Sequence, residues 1–433
     1  MSGGEIHRFR IWWRRRLGPE RRATFSWLLA AVFVVLFLAA GSRIGDNVLS
    51  GPTATSSSSA PLVDLTIVHS AGAKGALCLD GSPPAYHLLR GFGSGSDKWL
   101  VHLEGGGWCQ SLDSCSFRKS TPLGSSYYME RQVPFMGILS NIPSQNPDFY
   151  NWNKVKVRYC DGASFSGYRE NEVQDGTKLF FRGQRIWETI MDELLQKGLA
   201  NAKQALLTGC SAGGLATFIH CDDFQALLPN VATVKCFADG GFFLNEKDIS
   251  GRRSIKSFYS NVVQLQDVGN RFPECVSRTE PSQCFFAEEI IKNVKTPFFI
   301  LNPTYDFWQI QHILVPAESD PEHAWLRCKL NIGHCDSNQL KTLQGFRDAM
   351  LSSLSEFKQK KNGGMFINSC FVHCQSLYNQ TWHSPNSPRI NNKTIAEAVG
   401  DWFFDRKETK EIDCPYPCNP TCYHMNLSQL SKS

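Results

Sequence analysis

Thr208-Gly209-Cys210-Ser211-Ala212-Gly213-Gly214, behind the apolar run Ala205-Leu206-Leu207, is the stretch on which the reading of this chain turns. It spells Gly-x-Ser-x-Gly, with Gly209 and Gly213 flanking Ser211. Such a pattern marks a sharp strand-to-helix turn that lifts a serine hydroxyl above the end of a sheet. Glycines flank it because the turn is strained and strand and helix backbones approach closely there. The context fits: an apolar strand candidate precedes the motif, and Leu215-Ala216-Thr217-Phe218-Ile219 after it suits a helix. The bland alternative is a glycine-rich loop that contains a serine.

Working outward, further strand candidates are Trp99 to Leu103, Val155 to Tyr159, Val234 to Ala238 and Phe298 to Leu301. Between the second of these and the Ala205 run lies Arg182 to Ala200, with Ile186, Ile190, Leu194 and Leu195 at helical spacing. Apolar strands separated by amphipathic helices predict an α/β fold, α/β-hydrolase-like, with a mainly parallel central sheet flanked by helices. No second linker interrupts the chain beyond Leu62, so one domain over 62–425 is expected, followed by a tail at 426–433.

Serine chemistry of this kind needs an oxyanion hole, a base and an orienting acid, in the chain order Ser, Asp or Glu, His. The Trp99 strand leads into Glu104-Gly105-Gly106-Gly107-Trp108-Cys109. Gly106 and Gly107, with the N–H of Ala212, are the candidate oxyanion donors, since such donors must reach the developing charge with no side chain intervening. A tight turn needing positive φ is the plain alternative. Asp306, just past the Phe298 strand in Asn302-Pro303-Thr304-Tyr305-Asp306, stands where a triad acid belongs. Asp239, in Ala238-Asp239-Gly240-Gly241, competes, but so near Ser211 a turn or pocket role fits it better. For the base, His323, His334, His373 and His383 follow Asp306, with His424 in the cysteine-rich tail. Position alone singles out His373, at the end of Asn368-Ser369-Cys370-Phe371-Val372-His373-Cys374, where a disulfide at Cys370 or Cys374 would hold the imidazole. Cys210, as the residue before the serine, should point away from substrate, which suits a disulfide or structural thiol better than a nucleophile.

The N-terminal 22 residues hold seven arginines against Glu5 and Glu20, and so carry the whole formal net charge of +5. The remainder is balanced, which gives no basis for nucleic-acid binding. The arginines precede an uncharged apolar run from Phe25 to Ala40, close to the ~20 residues of a bilayer span. Arginines before the span place the N-terminus in the cytoplasm and the body of the protein outside it. The chain therefore divides into a basic cytoplasmic segment at 1–23, a transmembrane signal anchor or signal peptide at 24–42, and a serine-rich linker at 43–61. All sixteen cysteines lie beyond the apolar run, as expected of a disulfide-rich domain in an oxidising compartment. The Cys414 to Cys422 cluster reads as disulfides, because a zinc site needs a second ligand arm that is not evident. Asn379, Asn392 and Asn426 are glycosylation sequons, again consistent with export.

Seven stretches, in order from Leu103-Glu104-Gly105-Gly106-Gly107-Trp108-Cys109 through Arg158-Tyr159-Cys160-Asp161-Gly162, Gly209 to Gly214, Ala238 to Phe243, Asn302 to Asp306, Ser369 to His373 and the Cys414 to Cys422 tail, resemble the plant pectin acetylesterases. More distantly the chain resembles the animal carboxylesterase Notum. The resemblance implies an α/β-hydrolase-like fold and a triad of Ser211, Asp306 and His373, with an oxyanion hole near Gly106, Gly107 and Ala212. It implies a serine esterase that releases acetate from acetylated pectin (homogalacturonan) in the plant cell wall, with no cofactor and no metal. A monomer is expected, in the secretory pathway and cell wall, or anchored at the Golgi or plasma membrane as a type II membrane protein if the apolar run is uncut. Two rivals are a Notum-like deacylase of lipid- or acyl-modified protein, which needs a deep apolar pocket, and a non-catalytic glycan-binding protein.

Overall fold

The computed structural model describes residues 60–169, 173–174, 178–228 and 233–427. The chain divides into two units, Met1–Ser57 and Ser58–Ser433. The basic segment, the apolar run and most of the serine-rich linker lie outside the described residues. Among the described residues no helix is long and apolar enough to cross a membrane.

A ten-stranded sheet organises the second unit. Its strands are β1 (Leu62–Ile67), β2 (Ala85–Leu89), β3 (Lys98–Leu103), β4 (Gln132–Pro134), β5 (Asn153–Val157), β8 (Gln204–Cys210), β9 (Thr233–Asp239), β10 (Phe298–Leu301), β11 (Gly364–Ile367) and β12 (Lys410–Ile412). A separate two-stranded ribbon is made by β6 (Val173–Gln174) and β7 (Lys178–Leu179). The spatial order is β12-β11-β10-β9-β8-β3-β5-β2-β1-β4. From β12 to β5 every neighbouring pair is parallel, while β2, β1 and β4 add antiparallel pairs at one end. The expected strands all form, with β5 starting and ending two residues before the expected Val155–Tyr159.

The apolar runs are explained by burial on both faces. Trp99, Val101 and Leu103 of β3 pack on one side with Leu207 and Ile300. Leu100 packs on the other with Leu206, Phe237 and Phe299. Successive strand residues point to opposite faces, so no position of β10 is left for a polar side chain. The first face is covered by the helices Gly183–Gln196, Ala212–Ala226 and Ser254–Gln266. Ile186, Ile190 and Leu194 form the buried stripe of the first of these. That helix stops short of the expected Ala200 because Gly198 turns the chain at φ 114°. The helix after Ser211 is buried from Ala212 through Cys221, which is why its sequence is apolar on all sides.

All sixteen cysteines pair, in eight disulfides. The tail cysteines join as Cys414–Cys418 and Cys370–Cys422, so their sulfurs are committed to disulfides and do not form a knuckle. Five adjacent strands, β11, β10, β9, β8 and β3, therefore present their C-terminal ends side by side. In open α/β sheets that edge is where ligands bind.

Candidate active site

Each of those five strand ends delivers one part of the site. Ser211 follows β8 and holds φ 59°, ψ −124°, a left-handed conformation rare for a residue with a side chain. Its N–H donates to the carbonyl of Asp239 at 2.9 Å, and its own carbonyl accepts from Leu215 at 2.9 Å. Close packing forces the glycines of the motif. A Cβ on Gly209 would sit 2.1 Å from the Gly213 carbonyl oxygen, and one on Gly213 2.1 Å from that of Leu103. No side chain survives such contacts.

The glycine run after β3 is fixed by its carbonyls. Arg118 Nη1 donates to the Gly106 oxygen at 2.8 Å, and the Tyr159 hydroxyl to the Gly107 oxygen at 2.8 Å. Gly106 and Gly107 have φ 145° and 65°. The N–H groups of Gly106, Gly107 and Ala212 have no acceptor among the described residues. Glu104 braces the start of the run: it lies 2.8 Å from Arg158 Nε and 3.1 Å from Lys156 Nζ, and accepts from the Tyr159 N–H at 3.0 Å. Burial pushes the Glu104 carboxyl up, but these two cations outweigh it and hold the pKa below the ordinary value.

Asp306, five residues past β10, is fully buried. Its Oδ1 accepts from the N–H groups of Trp308 at 2.9 Å and Gln309 at 3.1 Å, capping the short helix Phe307–Gln309. Its Oδ2 lies 2.7 Å from His373 Nδ1. A carboxylate only accepts, so Nδ1 carries the proton and Nε2 presents its lone pair. Nε2 is buried and has no hydrogen-bond partner, Ser211 Oγ included. Trp308, Phe307 and Phe243 surround the imidazole at ring separations of 6.2, 5.8 and 6.4 Å. Burial in this apolar shell pushes the His373 pKa down. The Asp306 charge and hydrogen bond, with the charge of Asp239 behind them, reverse the balance and raise it.

Of the competing residues, His383 pairs with Thr394 Oγ1 at 3.0 Å and His424 accepts from the Phe371 N–H, while His323 and His334 are exposed. Asp239 has a different task. Its Oδ2 accepts from the N–H groups of Gln375 and Ser376 and from the Ser376 hydroxyl, each at 2.7 Å. One residue thus ties the serine turn, through its carbonyl, to the loop that follows His373, through its carboxylate. The disulfide Cys210–Cys374 makes the same link covalently. Gly105 was no candidate in the sequence, yet a Cβ there would lie 2.3 Å from the Cys210 oxygen and 2.9 Å from Ser211 Cβ. Its place in the three-glycine run was the signal available.

Gly106 and Gly107 line a groove of about 680 Å³ together with Trp108, Trp308, Arg252, Arg253 and Ser254. The fold and this site define a hydrolase of the α/β class. Residues 56–423 match the pectinacetylesterase family. Pectin acetylesterase 5 of Arabidopsis thaliana is 56% identical over 412 residues, 94% of this chain and 96% of that protein. The Xenopus laevis palmitoleoyl-protein carboxylesterase notum1' is 30% identical, over 82% of this chain and 74% of its own length. The crystal structure of the Wnt deacylase Notum from Drosophila shares the fold, with a TM-score of 0.70 at 24% identity, covering 84% of this chain and all of that one. The chain belongs to the pectinacetylesterase family and is a carboxylic ester hydrolase.

Proposed function

We propose that the chain removes acetyl groups from pectin by acyl transfer through Ser211, with His373 as base and Asp306 as its orienting acid. The observation that carries this is the 2.7 Å contact between Asp306 and His373 Nδ1, at the strand edge where Ser211 occupies its strained turn. His373 Nε2 takes the proton of Ser211 Oγ as the oxygen attacks the acetyl carbonyl. The N–H groups of Gly106, Gly107 and Ala212 receive the oxyanion. The imidazolium then gives its proton to the departing sugar oxygen. Water, deprotonated by the same imidazole, attacks the acetyl-serine; the imidazolium returns that proton to Ser211 Oγ as the acyl–oxygen bond breaks, and acetate leaves. Protons and electron pairs balance with serine, histidine and water alone, so the steps need no cofactor.

Family membership supports acetylated pectin as the polysaccharide partner. The groove favours it over a lipid acyl chain, because Gln110, Ser257, Asn261 and two arginines line it together with the aromatic rings. A filled and bonded acid–base pair speaks against mere glycan binding. Eight disulfides support a secretory route to the cell wall. We also infer the domain plan of a basic segment at 1–23, an anchor or signal peptide at 24–42, a linker at 43–61, an esterase domain at 62–425 and a tail at 426–433. Glycans at Asn379, Asn392 and Asn426, a monomeric state, and type II anchoring if the apolar run is uncut belong to the same proposal. Offering the secreted full chain acetylated pectin alongside esters of long acyl chains tests the substrate. Acetate release from pectin supports the reading, and preference for the acyl chains overturns it in favour of a Notum-like deacylase.

A further inference from the structure

The groove beside the glycine run carries two arginines, and their circumstances differ. Arg252 is engaged by protein on several sides: its Nε donates to Ser250 Oγ at 3.0 Å, its Nη2 to the Glu318 carbonyl at 3.2 Å, and Asp248 lies 3.9 Å from Nε. Arg253 is tethered at one corner only. Its Nη1 donates to the Asn245 backbone oxygen and lies 3.4 Å from Asn245 Oδ1. Its Nε and Nη2 have no partner, and no carboxylate pairs with it, among the described residues.

That tether decides what the free edge can do. Nε–H and the outer Nη2–H point the same way and form the side-on fork that matches the two oxygens of a carboxylate. Holding Nη1 on Asn245 restricts the guanidinium before any ligand arrives and leaves the Nε and Nη2 edge clear of protein partners among the described residues. Arg253 stands at the N-cap position of the 13-residue helix Ser254–Gln266, with no side-chain cap bond, and the first N–H groups of that helix add positive potential beside it. The one acidic side chain lining the groove is Glu318, and it pairs with neither arginine. Anion binding is therefore favoured in the same groove that Gly106 and Gly107 line.

Galacturonic acid presents a matching pair of groups. Its O-2 and O-3, the acetylated positions, lie on one edge of the sugar ring, and its C-6 carboxyl lies on the opposite edge. We propose that Arg253 reads this carboxylate, so that the enzyme selects acetylated galacturonyl residues whose carboxyl is free over those whose carboxyl is methyl-esterified. This rests on the pectin reading above. Methylation removes the charge and blocks the bidentate contact, leaving the arginine fork unpaired. Selection at this point places the reaction after one that hydrolyses uronate methyl esters.

The test uses the full chain, secreted with its disulfides intact, on three substrates: acetylated polygalacturonate with free carboxylates, the same polymer methyl-esterified, and uncharged p-nitrophenyl acetate. The wild type should show kcat/KM about tenfold higher on the free acid than on its methyl ester, allowing for solvent screening of an exposed arginine. Added salt should narrow that gap. Arg253→Ala should bring the two polymers level, mainly through KM, with a loss on the free acid about tenfold greater than its loss on p-nitrophenyl acetate. Arg253→Lys should restore only part of the preference, since it keeps charge without the fork. Equal wild-type rates on both polymers, or an equal loss by Arg253→Ala on all three substrates, would overturn the proposal. A wild type inactive on p-nitrophenyl acetate and on both polymers would instead remove the esterase reading, and this inference with it.

Discussion

Cys210 and Cys374 are joined by a disulfide, so one covalent bridge runs from the residue before Ser211 to the residue after His373. Asp239 repeats the connection by hydrogen bonds, holding the Ser211 N–H with its carbonyl and the Gln375–Ser376 backbone with its carboxylate. Serine and imidazole come from strands β8 and β11, which are separated in the sheet by β9 and β10. A doubly stapled pair can be held in register without help from substrate.

Removing the bridge with Cys210→Ser and Cys374→Ser together should cost about 2–5 kcal/mol of stability, since it closes a loop of 164 residues. The kcat of the folded double variant, measured well below its Tm, should also fall, by about 10²-fold, because a loosened base loses its alignment. Full kcat in a destabilised protein would show the bridge to be structural only.

The pH profile follows from the sign of the His373 shift. In the proposed mechanism the neutral imidazole is the base, so activity should be present above its pKa and be lost as pH falls through it. Because Asp306 and Asp239 outweigh burial and raise that pKa, the acid limb of kcat/KM should lie above the ordinary histidine value of about 6.5. Asp306→Asn should lower the rate by about 10⁴ and move the limb down. Asp239→Asn should move it down by less. An acid limb that stays put in Asp306→Asn would contradict the assignment of His373.

Gly105 should tolerate no side chain. Alanine there would drive a Cβ into the Cys210 carbonyl and the Ser211 Cβ, and backbone cannot yield as a side-chain tip can. Gly105→Ala should lower kcat by at least ~10²-fold, the scale of losing an oxyanion donor. Gly107→Ala meets nothing within 4 Å; its cost is the left-handed φ of 65°, about 1–2 kcal/mol. Comparing kcat with thermal stability in the two variants separates collision from strain.

How much of this was legible in the sequence varies by residue. The central strands could be read because burial on two faces demands uninterrupted apolar runs, and β10 matched to the residue. Ser211 could be read because close backbone contact leaves only glycine at 209 and 213. Asp306 and His373 were placed by chain order, which fixes sequence position but not contact. What escaped was anything defined by a partner distant in the chain. Asp239 reads from the sequence as a turn or pocket residue, and its bonds to Gln375 and Ser376, 136 and 137 positions away, are what define its carboxylate's task. Disulfide connectivity was invisible for the same reason, although the neighbourhood of His373 predicted that one bridge would fall there. The free fork of Arg253 is defined by what does not contact it, and no sequence pattern records that.

Ser211 is the residue on which the proposed chemistry turns. Acetate release from acetylated pectin, measured side by side for the full chain and its Ser211→Ala variant with both folded and oxidised, tests it most directly. The prediction is release by the wild type and a loss of about 10⁶-fold in the variant, the scale seen when a triad serine is removed. Comparable release by both proteins would show that the ester is cut elsewhere and would contradict the assignment of the nucleophile.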